Sequence, residues 1–305
     1  MAAPLSQVFY PSDFQELFST WENFPDAVPY AGGTGLIYEQ GRRIPVLPRY
    51  IISLDEMEEL RKISRTERYL EIGAMVKLNQ IIRLGKIVPE ALTRCLQIIA
   101  GPQIRNIATI GGNICFPSRR LDASAPMIAL DAQYELRTAQ SARWIPASRF
   151  SSLPEGYPVP DRPRLGFPGP AALANQELLT RIRVPLEPWT FTWYRKFRTA
   201  GSNEAGAGIL FIMKNQKDIL TNIRIVYSGP TILREKNSET MFLGKRLPLE
   251  RKDADAFVNC WKSYLAGPEG TEFNLLAEKE GNSHPELMKT QIINFINAMV
   301  MRISD

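Results

Sequence analysis

The chain has 305 residues, 44% hydrophobic and 23% charged, enough to bury one large core or two without disulfides. Three separated cysteines (Cys95, Cys115, Cys260) and a single histidine (His284) exclude a zinc site, a four-cysteine iron–sulfur site and any chemistry needing two histidines from this chain alone. The net charge of +5 is mild and dispersed, so no nucleic-acid partner is demanded; no apolar run is long enough for a membrane span and no signal peptide is visible, so a cytoplasmic setting is expected.

"SDFQELFSTW" (12–21) predicts a first helix with Ser12 as N-cap. "AVPYAGGTGL" (27–36) reads as a strand running into a glycine turn. "VLPRYIISL" leads to "SLDEMEEL", where Ser53 and Glu56 have the spacing of a capping box before a short acidic helix. "YLEIGAM" (69–75) is a strand, and "KLNQIIRLG" and "PEALTRCLQIIA" are helices, the second with Pro89 in its first turn. A turn, "GPQIRN", and the apolar "IATI" precede a second Gly-Gly; "APMIALDA" is then a helix, and "QYELRT" and "ARWIPASRF" flank a turn as strands.

Residues 151–170 are dense in proline and glycine, which breaks helices and central strands, so a domain boundary is expected there. Beyond it, "ELLTRIRVP", "TFTWYRKFRT", "GAGILFIMKN" and "ILTNIRIVYSG" are strand-like, the last two forming a hairpin around "KNQKD". Two amphipathic helices close the chain: "DADAFVNCWKSYLAG", stopped by Gly267-Pro268, and "PELMKTQIINFINAMVMRI". The second carries an apolar stripe of Leu287, Ile292, Phe295, Ile296, Met299 and Ile303. The class is α+β, with a first domain over 1–170 and a second over 171–305.

The two glycine pairs raise a functional question. Bare backbone at such a turn lets a ligand approach the peptide N–H groups, and successive N–H groups form an anion-binding hollow. Two hollows suit a dinucleotide: Gly32, Gly33 and Thr34 on one side, Gly111, Gly112 and Asn113 on the other, with the Thr109 hydroxyl nearby. Taken singly, each pair reads more readily as an ordinary turn. Neither is a Walker motif or G-x-G-x-x-G, and no strand–loop–helix unit with a downstream acidic residue is expected around them.

Together, "AGGTGL" (31–36), "IRNIATIGGNI" (104–114), Asp122, "ELLTRIRVP" (177–185), Lys196 in "WYRKFR", "IRIVYSG" and "FLGKRL" resemble the FAD-binding subunit of the molybdenum hydroxylases. That group includes xanthine dehydrogenase and aerobic carbon monoxide dehydrogenase. The resemblance runs over nearly the whole chain. It implies a two-lobed FAD-binding domain of the vanillyl-alcohol-oxidase/PCMH type, followed by the C-terminal domain of CO dehydrogenase flavoproteins. It implies FAD held by Ala31, Gly32, Gly33, Thr34, Gly35, Leu36, Thr109, Ile110, Gly111, Gly112, Asn113, Asp122, Leu179 and Lys196, the last beside the isoalloxazine. It further implies a molybdopterin-binding large subunit and a [2Fe–2S] small subunit as partners, with electrons leaving to NAD⁺ or another acceptor.

The chain departs from the family pattern in two places. Gly35 stands where the family has Asp, and "CFPSRRLD" (115–122) replaces a stretch of small polar residues. Cys115 is then a redox-active thiol or core filling; Arg119 and Arg120 clamp a phosphate or face a partner or water; Trp193 and Tyr194 cover a ring or fill a core. Two alternatives share the fold. One is a stand-alone flavin reductase of the UDP-N-acetylenolpyruvoylglucosamine reductase kind, whose "GIPGT-x-GG" loop is missing here. The other is a non-catalytic relative that has lost its flavin.

Overall fold

The computed structural model describes residues 6–40, 46–116, 122–150, 173, 176–197, 207–229, 231–279 and 284–304. The Pro-rich stretch 151–170 and Arg119-Arg120 lie outside these residues. The chain divides into two compact units, Met1–Leu186 and Glu187–Asp305.

The first unit opens with β1 (Gln7–Phe9), α1 (Phe14–Asn23), β2 (Val28–Tyr30), α2 (Thr34–Gln40) and β3 (Tyr50–Ser53). The three strands form a parallel sheet in the order β1-β3-β2. Leu17, Phe18 and Trp21 recur along one face of α1 and are buried with Ile52, Leu54, Met57 and Leu60. The N-cap of α1 is Asp13, one residue later than expected, its carboxylate accepting from the Glu16 N–H at 2.8 Å. Ser12 instead donates from its N–H (2.8 Å) and hydroxyl (3.1 Å) to the Glu16 carboxylate. The capping box at Ser53 does not form. Ser53 ends β3, and its hydroxyl takes the Asp55 N–H at 3.4 Å, ahead of a single 3-10 turn, Glu58–Arg61.

The unit continues through β4 (Ile63–Arg65), β5 (Tyr69–Gly73), α3 (Leu78–Arg83), α4 (Glu90–Ile98), α5 (Pro102–Arg105), α6 (Ile110–Ile114), α7 (Ser124–Ala129), β6 (Gln133–Arg137), β7 (Ala142–Pro146), α8 (Ala147–Phe150) and β8 (Leu178–Pro185). Its second sheet is antiparallel, in the order β4-β5-β8-β6-β7. The expected boundary therefore moves. The "ELLTRIRVP" segment, placed after the join by composition, returns as β8 between β5 and β6, and the two units part at residues 186 and 187. A central strand cannot leave its sheet without exposing both ladders.

A register shift marks the middle of β8. Glu135 pairs with Arg181 and Leu136 with Leu179, so Thr180 is the extra residue of a β-bulge. The bulge lets two consecutive residues reach one carboxylate. The Glu135 side chain accepts from the Thr180 hydroxyl at 2.6 Å and from Arg181 Nε at 2.8 Å.

The second unit contains β9 (Phe191–Lys196), β10 (Gly208–Gln216), β11 (Ile219–Ser228), β12 (Ile232–Leu233), α9 (Lys236–Met241), α10 (Arg251–Ala266), α11 (Pro268–Lys279) and α12 (Pro285–Arg302). The antiparallel sheet runs β12-β11-β10-β9. Lys217 and Asp218, both at positive φ (51° and 61°), make the tight β10–β11 turn. Alternate residues Ile209, Phe211, Ile223, Ile225 and Tyr227 pack with Phe257, Trp261, Phe295 and Met299 of the helices. Gly267-Pro268 stops α10 but does not end the helical region: Pro268 opens α11, since a proline is compatible with a first helical position. On α12, Ile292, Phe295, Ile296, Met299 and Ile303 are buried as the stripe predicts, whereas Leu287, near the start, is 51% exposed. Among the described residues, no helix is long and apolar enough to cross a membrane.

Candidate functional site

Both glycine segments belong to the first unit, and the fold presses them together. At the first, Gly33 takes φ +65°, a conformation that costs L-residues, and turns the chain from β2 straight into α2. The segment is thus a strand–loop–helix turn, contrary to the sequence expectation. The first helical bond of α2 runs from the Ile37 N–H to the Gly33 carbonyl at 3.2 Å. The N–H groups of Thr34, Gly35 and Leu36 precede that bond and find no acceptor among the described residues.

The second Gly-Gly is not a turn. It forms the first turn of α6, with Thr109 as N-cap. Its N–H groups are engaged within the protein: Ile110 to the Val76 carbonyl (3.0 Å), Gly111 to Ala74 (2.9 Å), Gly112 to the Thr109 hydroxyl (3.1 Å) and Asn113 to the Thr109 carbonyl (3.0 Å). A pair of equivalent N–H hollows is therefore not what forms. One segment keeps free donors, and the other supplies a backbone surface without side chains. Thr109→Ala removes the cap, and about 1 kcal/mol of stability with it, lowering Tm by roughly 2–4 °C in a thermal melt.

The two segments meet at three points. A Cβ on Gly32 would strike the Ile107 carbonyl oxygen, with the Ala108 Cα 3.3 Å away. A Cβ on Gly112 would lie 3.9 Å from that of Ala31. A Cβ on Gly35 would enter the ring of Phe116. Behind them, a Cβ on Gly111 would come 2.7 Å from the Ala74 Cβ, and the Ala74 N–H is held by the Thr180 carbonyl of the β8 bulge at 2.9 Å. Leu179 is buried on that same strand, opposite Leu136.

Asp122 is buried near the end of α6. Its carbonyl accepts from the Cys95 thiol at 3.1 Å, and the next N–H, of Ala123, donates to the Asn113 side chain at 3.3 Å. Asn113 thus ties the Asp122 region to the second segment. Lys196 is carried by the second unit, at the end of β9 and opposite Gly208 in the ladder. Cys115 is half-buried at the C-terminus of α6, and burial pushes its thiol up to about 12, away from the thiolate that redox work needs. Trp193 packs against the helical core of the second unit with Arg302 over its ring at 4.0 Å, and Tyr194 is buried on the sheet's other face. Sequence reasoning missed Ala74, Val76 and the Thr180 bulge as supports of the second segment; the small residues of "IGAM" are their only local signal.

Residues 4–187 match the family described as FAD binding domain in molybdopterin dehydrogenase, nearly the span of the first unit. The chain belongs to that family. Among curated relatives of this FAD-binding chain, the carbon monoxide dehydrogenase medium chain of Hydrogenophaga pseudoflava is 29% identical over 238 residues, covering 76% of this chain and 77% of that protein. Xanthine dehydrogenase 2 of Arabidopsis thaliana is 28% identical over 260 residues, and the matched region is 18% of its length. The chain thus spans under a fifth of some relatives and about half of others, such as the Escherichia coli O157:H7 xanthine dehydrogenase FAD-binding subunit, where 52% is covered. A crystal structure of cyanide-inactivated Cu,Mo-CO dehydrogenase contains a chain that superposes over 100% of this one with a TM-score of 0.75, at 22% identity, so the α+β fold is shared throughout.

Proposed function

We propose that this FAD-binding chain is the flavin-carrying subunit of a molybdenum-containing hydroxylase, drawing electrons from [2Fe–2S] clusters of a small subunit and passing them to NAD⁺ or another acceptor. A molybdopterin-binding large subunit would complete the assembly and set the substrate. The observation that carries the reading is the packing of the two glycine segments, with no space for a Cβ at Gly32 against Ile107, at Gly35 against Phe116 or, behind the second segment, at Gly111 against Ala74. Such a cradle fits a pyrophosphate, which must approach bare backbone closely and takes hydrogen bonds from free N–H groups.

On this reading Ala31, Gly32, Gly33, Thr34, Gly35 and Leu36 hold the diphosphate through backbone donors and the Thr34 hydroxyl. Thr109, Ile110, Gly111, Gly112 and Asn113 form the opposing surface, with Asp122 beside the ribityl or adenosine part and Leu179 as a further FAD contact. Lys196 is assigned to the flavin ring, where a cation favours negative charge on the reduced form. When bound, FAD supplies a ring that exchanges electrons with the partner centres. This chain's residues bind and orient it; among the described residues no group of three or more His, Cys, Asp or Glu side chains could hold a metal.

An absorbance spectrum of the purified chain, with the released flavin identified by chromatography, tests the reading. Stoichiometric FAD is expected, and NADH should bleach the oxidised band if NAD⁺ is the acceptor. Colourless protein that refuses added FAD would instead favour the non-catalytic relative.

A further inference from the structure

The ring of Phe116 lies where any side chain at position 35 would have to go: an ideal Cβ on Gly35 falls against ring atoms Cδ2 and Cε2, the former 2.6 Å away. Phe116 is 5% exposed, and it directly follows the Cys115 that ends α6. Of the three contacts between the glycine segments, those at Gly32 and Gly112 bring backbone or Cβ atoms together. Only the Gly35 contact is made by a long side chain. Gly35 lacks a side chain, and the Phe116 ring takes the volume that one would need.

We propose that Phe116 is a positioning residue for the dinucleotide: its ring, seated on Gly35, fixes the 33–36 backbone at the separation from the second segment that FAD requires. The inference rests on the reading of these segments as the FAD cradle. Phe116 need not touch the cofactor, because interlocked packing transmits small displacements of a side chain to the backbone it supports.

The test is a double-mutant cycle on the full chain, stripped of flavin and titrated with FAD, with the Tm of each apo protein measured alongside. Phe116→Ala should weaken FAD binding at least tenfold, and Gly35→Ala by a similar factor. In the Phe116→Ala background, Gly35→Ala should add less than twofold, since the volume its methyl needs has been vacated. Phe116→Leu should restore most of the affinity and replaces Phe116→Ala in the cycle if that variant does not fold. Multiplicative effects in the double variant, or an unchanged Kd for Phe116→Ala, would overturn the proposal. A Gly33→Val control separates the two levels: if it binds FAD like the wild type, the cradle reading falls and takes the proposal with it. If it loses FAD while the cycle is multiplicative, only the role of Phe116 is wrong.

Discussion

Gly33→Val is expected to yield a chain that purifies without FAD and binds added FAD at least a hundredfold more weakly. Two effects add. At φ +65°, an L-residue costs about 1–2 kcal/mol relative to glycine, and a β-branched one fits this region worst. The new Cβ would also collide with the Tyr30 hydroxyl and ring carbon, so either the Tyr30 side chain or the turn itself must move. Gly33 joins β2 to α2, so a change of its backbone carries Thr34, Gly35 and Leu36 with it. A hundredfold loss corresponds to about 2.8 kcal/mol, which the combined strain can supply. Flavin content per chain and an FAD titration check it. Stoichiometric FAD in the variant would show that this turn does not hold the cofactor.

Glu135→Ala should be the largest stability defect of a single polar substitution in the first unit, about 2–3 kcal/mol. The carboxylate is 6% exposed and is met by the Thr180 hydroxyl and by Arg181 through both Nε and Nη2. Removing it leaves the buried Thr180 hydroxyl with only a 3.3 Å contact to the Glu135 carbonyl. Breaking a fully buried pair costs roughly 3–5 kcal/mol, but Arg181 is 46% exposed and keeps Glu71 at 3.7 Å, so water and that partner recover part of the loss.

The same group gives a pH signature. Burial works to raise the Glu135 carboxyl, but hydrogen bonds from Arg181 and Thr180 and the charges of Arg181 and Arg137 outweigh it and hold it below the ordinary carboxylate range. Its contribution is therefore present in full above that range and is lost as pH falls through the lowered value. The stability gap between wild type and Glu135→Gln, from urea unfolding, should be widest near neutrality and should close in acid. An equal gap at both ends would show that the charge contributes nothing. Because the Thr180 bulge also holds Ala74, and Ala74 holds Gly111, loosened FAD binding should accompany the stability loss.

Much of this was legible in the chain itself. Strands and helices with clear apolar periods, such as α4, α10, β10 and β11, stand where the pattern places them, because burying one face dictates that period. The motifs "AGGTGL" and "IRNIATIGGNI" marked the two segments, because only glycine tolerates the crowding found at both. Tertiary structure decided the rest. Local spacing could not distinguish Ser12 from Asp13 as a cap, and the Ser53 and Glu56 spacing was overridden by the pairing of β3. Composition put a boundary at the prolines, but the partners of β8 lie before them in sequence, and only the sheet shows that the strand returns. Whether a Gly-Gly pair presents its N–H groups or buries them depends on distant acceptors, here Ala74 and Val76, which no local pattern names. The matching of Gly35 to Phe116 is likewise invisible along the chain: 81 positions separate them, and only the fold brings them together.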